Sequence, residues 1–75
     1  MKMNEIKVGA SYSNGKGRIR KVVAMGPQYI LYDGQVCTEN LRYVVVNDGS
    51  KKNRTTREES NMTVAAFARW AKEQV

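Results

Sequence analysis

Turn-forming dipeptides divide most of this chain into short segments. They are Asn14-Gly15, Gly26-Pro27, Asp33-Gly34 and Asp48-Gly49. Asn-Gly and Asp-Gly accept the positive φ angles that tight hairpin turns require, and Gly-Pro interrupts both helices and strands. Segments between such closely spaced turns suit strands better than helices. The spacing therefore predicts a small antiparallel β protein.

The segments between the turns have the composition of strands. They are rich in β-branched and aromatic residues, which fit a pleated, half-buried surface. In the most regular segment, Leu41, Tyr43 and Val45 fall on one face because side chains alternate along a strand. The predicted strands cover residues 8–13, 18–25, 28–32 and 41–47, and residues 36–38 and 55–57 are further candidates.

The C-terminal part of the chain has a helical pattern. Thr63 is a suitable N-cap, and the residues that follow are mostly strong helix formers. Apolar residues recur there at the helical spacing, and Trp70 flanks the stripe that they form: Val64, Phe67, Ala68 and Ala71. The pattern predicts a helix over about 64–74 that covers one open end or edge of the β structure.

Together these patterns predict one domain over residues 1–75 that is mainly β with one C-terminal α-helix. Its form is expected to be a small SH3-like, partly open antiparallel barrel over about 8–62. A domain of this size buries only about 60% of the surface of its unfolded chain, so its core is thin. It has little room for a deep substrate pocket.

Composition excludes several classes of function. The chain has one cysteine, Cys37, and no histidine. It therefore forms no internal disulfide and lacks the ligands of a structural zinc site, which favours the reducing cytoplasm. No apolar run approaches the ~18 residues of a membrane span, and the N-terminal residues are too polar for a secretory signal. We expect no enzyme activity, no metal and no cofactor. Cys37 itself is interpreted as an inert thiol, because no histidine can act as its base.

Positive charge is the strongest functional signal. The formal net charge is +6, and eight of the thirteen basic residues fall in two groups. If both hairpin tips lie at one end of the barrel, the groups form one patch that attracts phosphates. The alternative is two ordinary charged hairpins that aid solubility, and Glu58 and Glu59 partly offset the second group. The candidate binding residues are Lys16, Arg18, Arg20 and Lys21 in the first group, and Lys51, Lys52, Arg54 and Arg57 in the second.

Aromatic side chains allow two interpretations. Tyr32, beside a turn, is the candidate for an exposed ring that stacks on a base or partner. Tyr29 and Tyr43 are expected to fill the core. Phe67 and Trp70 could anchor a partner protein, but packing of the helix on the barrel fits their spacing better.

Residues 12–17, 20–23, 26–29 and 67–71 resemble small uncharacterised proteins of phages and prophages. This resemblance implies a phage or prophage origin and an accessory role, and it transfers no catalytic or binding residue. The hairpin at 15–18, Gly-Lys-Gly-Arg, is also similar to the KOW motif of SH3-like domains that bind ribosomal and messenger RNA.

The leading hypothesis is a non-enzymatic accessory protein in the cytoplasm of a bacterial host. Its expected partner is nucleic acid or a nucleoprotein complex, and no membrane. The alternative is a protein-directed inhibitor of a host factor, such as an anti-CRISPR or other anti-defence protein. A third hypothesis is an assembly piece that forms a homodimer through exposed strand edges.

Overall fold

The computed structural model of the chain describes residues 1–35, 39–48 and 59–75. The candidate strands at 36–38 and 55–57 lie outside the described residues. The elements are, in chain order, a 3-10 helix at Met3–Glu5, β1 at Ser11–Ser13, β2 at Arg18–Met25, β3 at Asn40–Asp48, β4 at Glu59–Thr63, α1 at Val64–Trp70 and β5 at Glu73–Gln74.

The strands form one antiparallel sheet of five strands in the order β4-β3-β2-β1-β5. The expectation of a mainly β fold with one C-terminal helix is confirmed. The first four strands pair as a meander, and β5 returns after the helix to pair with the free edge of β1. Among the described residues the sheet is not closed, because β4 and β5 are its two edges.

One face of the sheet carries the core. Leu41 of β3, Val22 of β2 and Tyr12 of β1 are fully buried there, beneath α1. The ring of Phe67 from the helix meets that of Tyr12 edge-on, with 5.6 Å between the centroids. The predicted apolar stripe of the helix is confirmed, because its members Val64, Phe67, Ala68 and Ala71 are all buried.

The predicted turn between β1 and β2 is confirmed. Gly15 and Gly17 adopt positive φ angles of 79° and 88° there, which residues with a Cβ rarely tolerate. The side-chain oxygen Oδ1 of Asn14 accepts hydrogen bonds from the backbone nitrogens of Lys16 and Arg18. The turn holds the start of β2 close to the end of β1.

The helix begins as predicted and ends earlier. The Oγ1 atom of Thr63 accepts a hydrogen bond of 3.1 Å from the backbone nitrogen of Ala66, so Thr63 is the N-cap. The predicted end near residue 74 is wrong, because α1 stops at Trp70. From there the backbone nitrogens of Lys72 and Val75 donate to the carbonyl oxygens of Ser13 and Ser11, at 2.8 and 3.0 Å. The hydrogen bonds to β1 thus prevail over the high helix propensity of Lys72, Glu73 and Gln74.

The strand predicted over 28–32 is also wrong. This segment bends through local turns, in which Tyr29 donates to the carbonyl of Gly26 and Gln35 to that of Tyr32. The side chain of Gln35 accepts a further bond from the backbone nitrogen of Leu31. These local bonds satisfy the backbone without a neighbouring strand, although the composition favours a strand. No helix within the described residues is long and apolar enough to cross a membrane.

Candidate functional site

Four cationic side chains come from elements that meet at one end of the sheet. The elements are the β1–β2 turn, the start of β2 and the segment that follows α1. At this end Arg18 pairs with Asp48, the last residue of β3. A Cβ atom placed on Gly15 would lie 3.8 Å from the Cγ atom of Lys72, so the stem of Lys72 lies against the turn. We call Lys16, Arg18, Arg20 and Lys72 the cationic end.

Arg20 is held against two aromatic rings. Its guanidinium carbon lies 4.3 Å from the ring centroid of Trp70 and 4.8 Å from that of Tyr43. Its Nη1 atom lies 3.7 Å from the sulfur of Met62. Cation–π contacts of this kind contribute about 0.5–2 kcal/mol, depending on how far the cation is desolvated. The half-buried guanidinium is therefore fixed in place, unlike an ordinary surface arginine.

A shallow recess adjoins Arg20. It has a volume of about 290 Å³ and is lined by Arg18, Arg20, Val45 and Asn47. The two arginines share it because residues two apart on a strand face the same way. Arg18 is exposed while Arg20 is half-buried, so the recess has one solvated cation and one that is packed against rings. Its chemistry suits an anionic group with several oxygen acceptors.

Lys21 belongs to the opposite face of the sheet. It follows Arg20 directly and pairs with Ser11 on β1 and Val44 on β3. Alternation along β2 turns its side chain away from the face that carries Arg18 and Arg20. The first basic group is therefore divided, and three of its predicted members lie at the cationic end: Lys16, Arg18 and Arg20.

One acidic side chain of the sheet, that of Glu59, is paired with an arginine outside the cationic end. Within the described ranges the ion pair joins Arg42 to Glu59, at 3.3 Å between Nη1 and Oε2. Arg42 also donates to the side chain of Asn61. Glu73 is exposed on β5, where it pairs with Ser13. Among the carboxylate side chains that the structure describes, none forms an ion pair with a member of the cationic end.

Tyr32 is exposed as predicted, with 63% of its surface accessible, but it does not join the cationic end. Its segment follows the far end of β2 and is bonded to the start of β3 and to β4. Tyr29 lies against Arg42, with 4.9 Å from the guanidinium carbon to the ring centroid. Asn61 donates to the carbonyl of Ile30. Tyr29 is thus half-buried beside a surface arginine and is not part of the core, whereas Tyr43 packs against the core as predicted.

The second basic group, Lys51, Lys52, Arg54 and Arg57, lies outside the described residues, as does Cys37. Lys72 is the member of the cationic end that the sequence pattern did not reveal. The pattern assigned it to the last turn of a helix, and only the return of the chain along β1 brings it to the turn. The contact of Trp70 with Arg20 likewise depends on tertiary packing and has no local signal.

The described residues contain no group of three or more histidine, cysteine, aspartate and glutamate side chains that could hold a metal ion. Comparison with family models, with curated proteins and with solved structures gave no match.

Proposed function

We propose that this protein is a non-enzymatic binding protein whose ligand is nucleic acid or a nucleoprotein complex, held at the cationic end. The observation that carries this proposal is the grouping of Lys16, Arg18, Arg20 and Lys72 at one end of the sheet, where Arg18 and Arg20 line one recess and Lys72 lies against the turn. Cations grouped on one surface attract phosphates and release counterions when they bind them. The net charge of +6 acts in the same direction at long range.

Salt dependence tests the proposed function. We expect binding of a fluorescent oligonucleotide, followed by polarisation, to weaken steeply as salt rises, with a slope of about −0.9 per phosphate neutralised on a duplex. The double variant K16E/R18E should bind more weakly and show a shallower slope. The matched control is K2E/K7E, which removes equal charge from the exposed N-terminal segment. Binding that does not respond to salt would refute the proposal.

A second candidate function, protein-directed inhibition of a host factor, is favoured by a separate observation. Ile30, Leu31 and Tyr32 are consecutive large hydrophobic residues that are 46%, 45% and 63% exposed. Exposed apolar groups of this kind often mark protein contacts. A pull-down from nuclease-treated host lysate separates the two functions. A partner that survives the nuclease and is lost in L31D supports the second function over the first.

We propose a partly open SH3-like barrel from a phage or prophage, working in the cytoplasm of its host. Register shifts between Ile19 and Arg20 and between Val22 and Ala24 support the barrel, because such bulges bend strands as barrels require. An experimental structure that leaves β4 and β5 on a flat, open sheet would rule the barrel out.

A further inference from the structure

The aromatic rings at the cationic end, Trp70 and Tyr43, are already in contact with other side chains of the protein. Trp70 contacts Arg20 and also Phe67, whose ring centroid is 5.3 Å away. Tyr43 contacts Arg20 and again Phe67, at 6.0 Å. Base stacking on protein is the main source of affinity for single strands in many binding proteins. Because both half-buried rings already contact Arg20 and Phe67, base stacking is a less favourable means of binding at the cationic end.

The other aromatic residues do not supply it either. All the aromatic residues of the sequence lie within the described ranges. Tyr12 is buried and Tyr29 lies against Arg42. Tyr32 is exposed, but on the segment that contacts β4 and the start of β3. A ligand held at the cationic end therefore meets cations and hydrogen-bond donors rather than rings.

Arg20 presents a pre-oriented pair of donors at this site. Its Nη1 atom is directed at the sulfur of Met62, and its plane is fixed by Trp70 and Tyr43. The opposite edge, formed by Nε and Nη2, has no hydrogen-bond partner among the backbone groups and side chains that the structure describes. A guanidinium edge of this kind matches two oxygens of a phosphate, and little side-chain entropy is lost when the group is already fixed. Arg18 lines the same recess and offers a second guanidinium to the same ligand.

We propose that the ligand of the cationic end is double-stranded nucleic acid, which is bound through its backbone phosphates. The Nε–Nη2 edge of Arg20 acts as a fixed bidentate donor to one phosphate. This inference rests on the proposed function and specifies its ligand. A duplex carries one charge per about 1.7 Å of its axis, roughly twice the density of one strand. A surface of cations whose rings already contact other side chains gains more affinity from that charge density than from stacking on exposed bases. Recognition is therefore independent of base sequence.

Paired variants on one strand test the recess. Arg18 and Lys21 are both exposed on β2, they carry the same charge, and they lie on opposite faces. We expect R18Q to weaken binding of a mixed-sequence duplex about tenfold and to reduce the salt slope by about 1, because one charge-assisted phosphate contact is lost. K21Q should change the affinity less than about twofold, since a charge on the far face acts only at long range. Equal losses would overturn the assignment of the recess.

The bidentate role of Arg20 is tested by R20K, which keeps the positive charge and removes the Nε–Nη2 edge. We expect about a tenfold loss of duplex affinity, since lysine offers a single point charge. Circular dichroism and thermal unfolding of R20K check that the sheet remains folded. Trp70 is the only tryptophan, so its emission reports directly on Arg20. Saturation with duplex should change that emission in the wild type and in K21Q. Wild-type affinity of folded R20K, or emission unchanged at saturation, would overturn the role of Arg20.

The choice of duplex is tested by comparing the duplex with each of its separated strands at equal salt. Tighter binding of the duplex supports the inference. Tighter binding of a separated strand overturns it and leaves the proposed function standing. If neither form binds to any measurable extent, both the inference and the proposed function fail.

Discussion

At the scale of single residues, Tyr12 and Arg20 carry polar groups that are usually exposed but here pack against the rest of the protein. Tyr12 is fully buried, and its hydroxyl donates to the carbonyl of Glu5 and accepts from the backbone nitrogen of Lys7. Arg20 lies against two rings and keeps one edge available. In each case the apolar part of the side chain joins the core while the polar part has a defined partner or task.

The hydroxyl of Tyr12 gives a testable prediction. Y12F leaves the nitrogen of Lys7 and the carbonyl of Glu5 without their partner, so we expect the free energy of unfolding to fall by about 1–3 kcal/mol. Urea denaturation followed by circular dichroism measures the change. The control is Y32F, whose exposed hydroxyl should matter by less than about 0.5 kcal/mol. Equal stability of Y12F and wild type would show that the two bonds contribute nothing.

At the scale of elements, the sequence predicted those strands whose residues have a strong local preference for the extended conformation. β2 lies where it was expected, at Arg18–Met25, and β3 at Asn40–Asp48 contains the predicted 41–47. Both are rich in β-branched residues and bounded by turn residues, so their local preference agrees with the fold. β4, Glu59–Thr63, is polar and has no such preference. It is a strand because it pairs with β3, which no local pattern reveals.

The start of the helix belongs to this scale as well. T63A removes the acceptor for the nitrogen of Ala66, and we expect it to lower the free energy of unfolding by about 1 kcal/mol. T63S keeps a hydroxyl in place and should recover most of the loss. Thermal unfolding of the three proteins side by side checks this. A loss as large in T63S as in T63A would indicate that packing of the methyl group, rather than capping, is responsible.

At the scale of the whole molecule, contacts between distant parts of the chain determine the site. The sequence correctly predicted the sign of the surface charge and the turn that carries Lys16. It missed Lys72, and it grouped Lys21 with residues of the other face. Both errors arise because propensity describes neighbours in sequence, whereas the cationic end depends on strand register and on the return of the chain after α1. Homodimer formation through a strand edge stays a prediction, which light scattering tests.

The short strand β5 gives a prediction at this scale. Deletion of residues 72–75 removes the bonds to the carbonyls of Ser11 and Ser13. We expect the free energy of unfolding to fall by about 1–3 kcal/mol, because the two hydrogen bonds are lost and the edge of β1 becomes exposed to water. The uncovered edge of β1 should also promote self-association, visible as concentration-dependent light scattering. V75S keeps the backbone bonds and serves as the control. A deletion variant that is stable and monomeric would contradict this role.

Residues 72–75 are also made after the rest of the sheet, although β1, the strand that they protect, is made before the other strands. While a ribosome is still adding the helix, β1 has one side paired with β2 and the other without a partner. The nascent domain therefore cannot finish its sheet until these residues have left the exit tunnel. Arrested chains that expose residues 1–71 alone should be the form most readily captured by chaperones, and emergence of the remaining segment should release them.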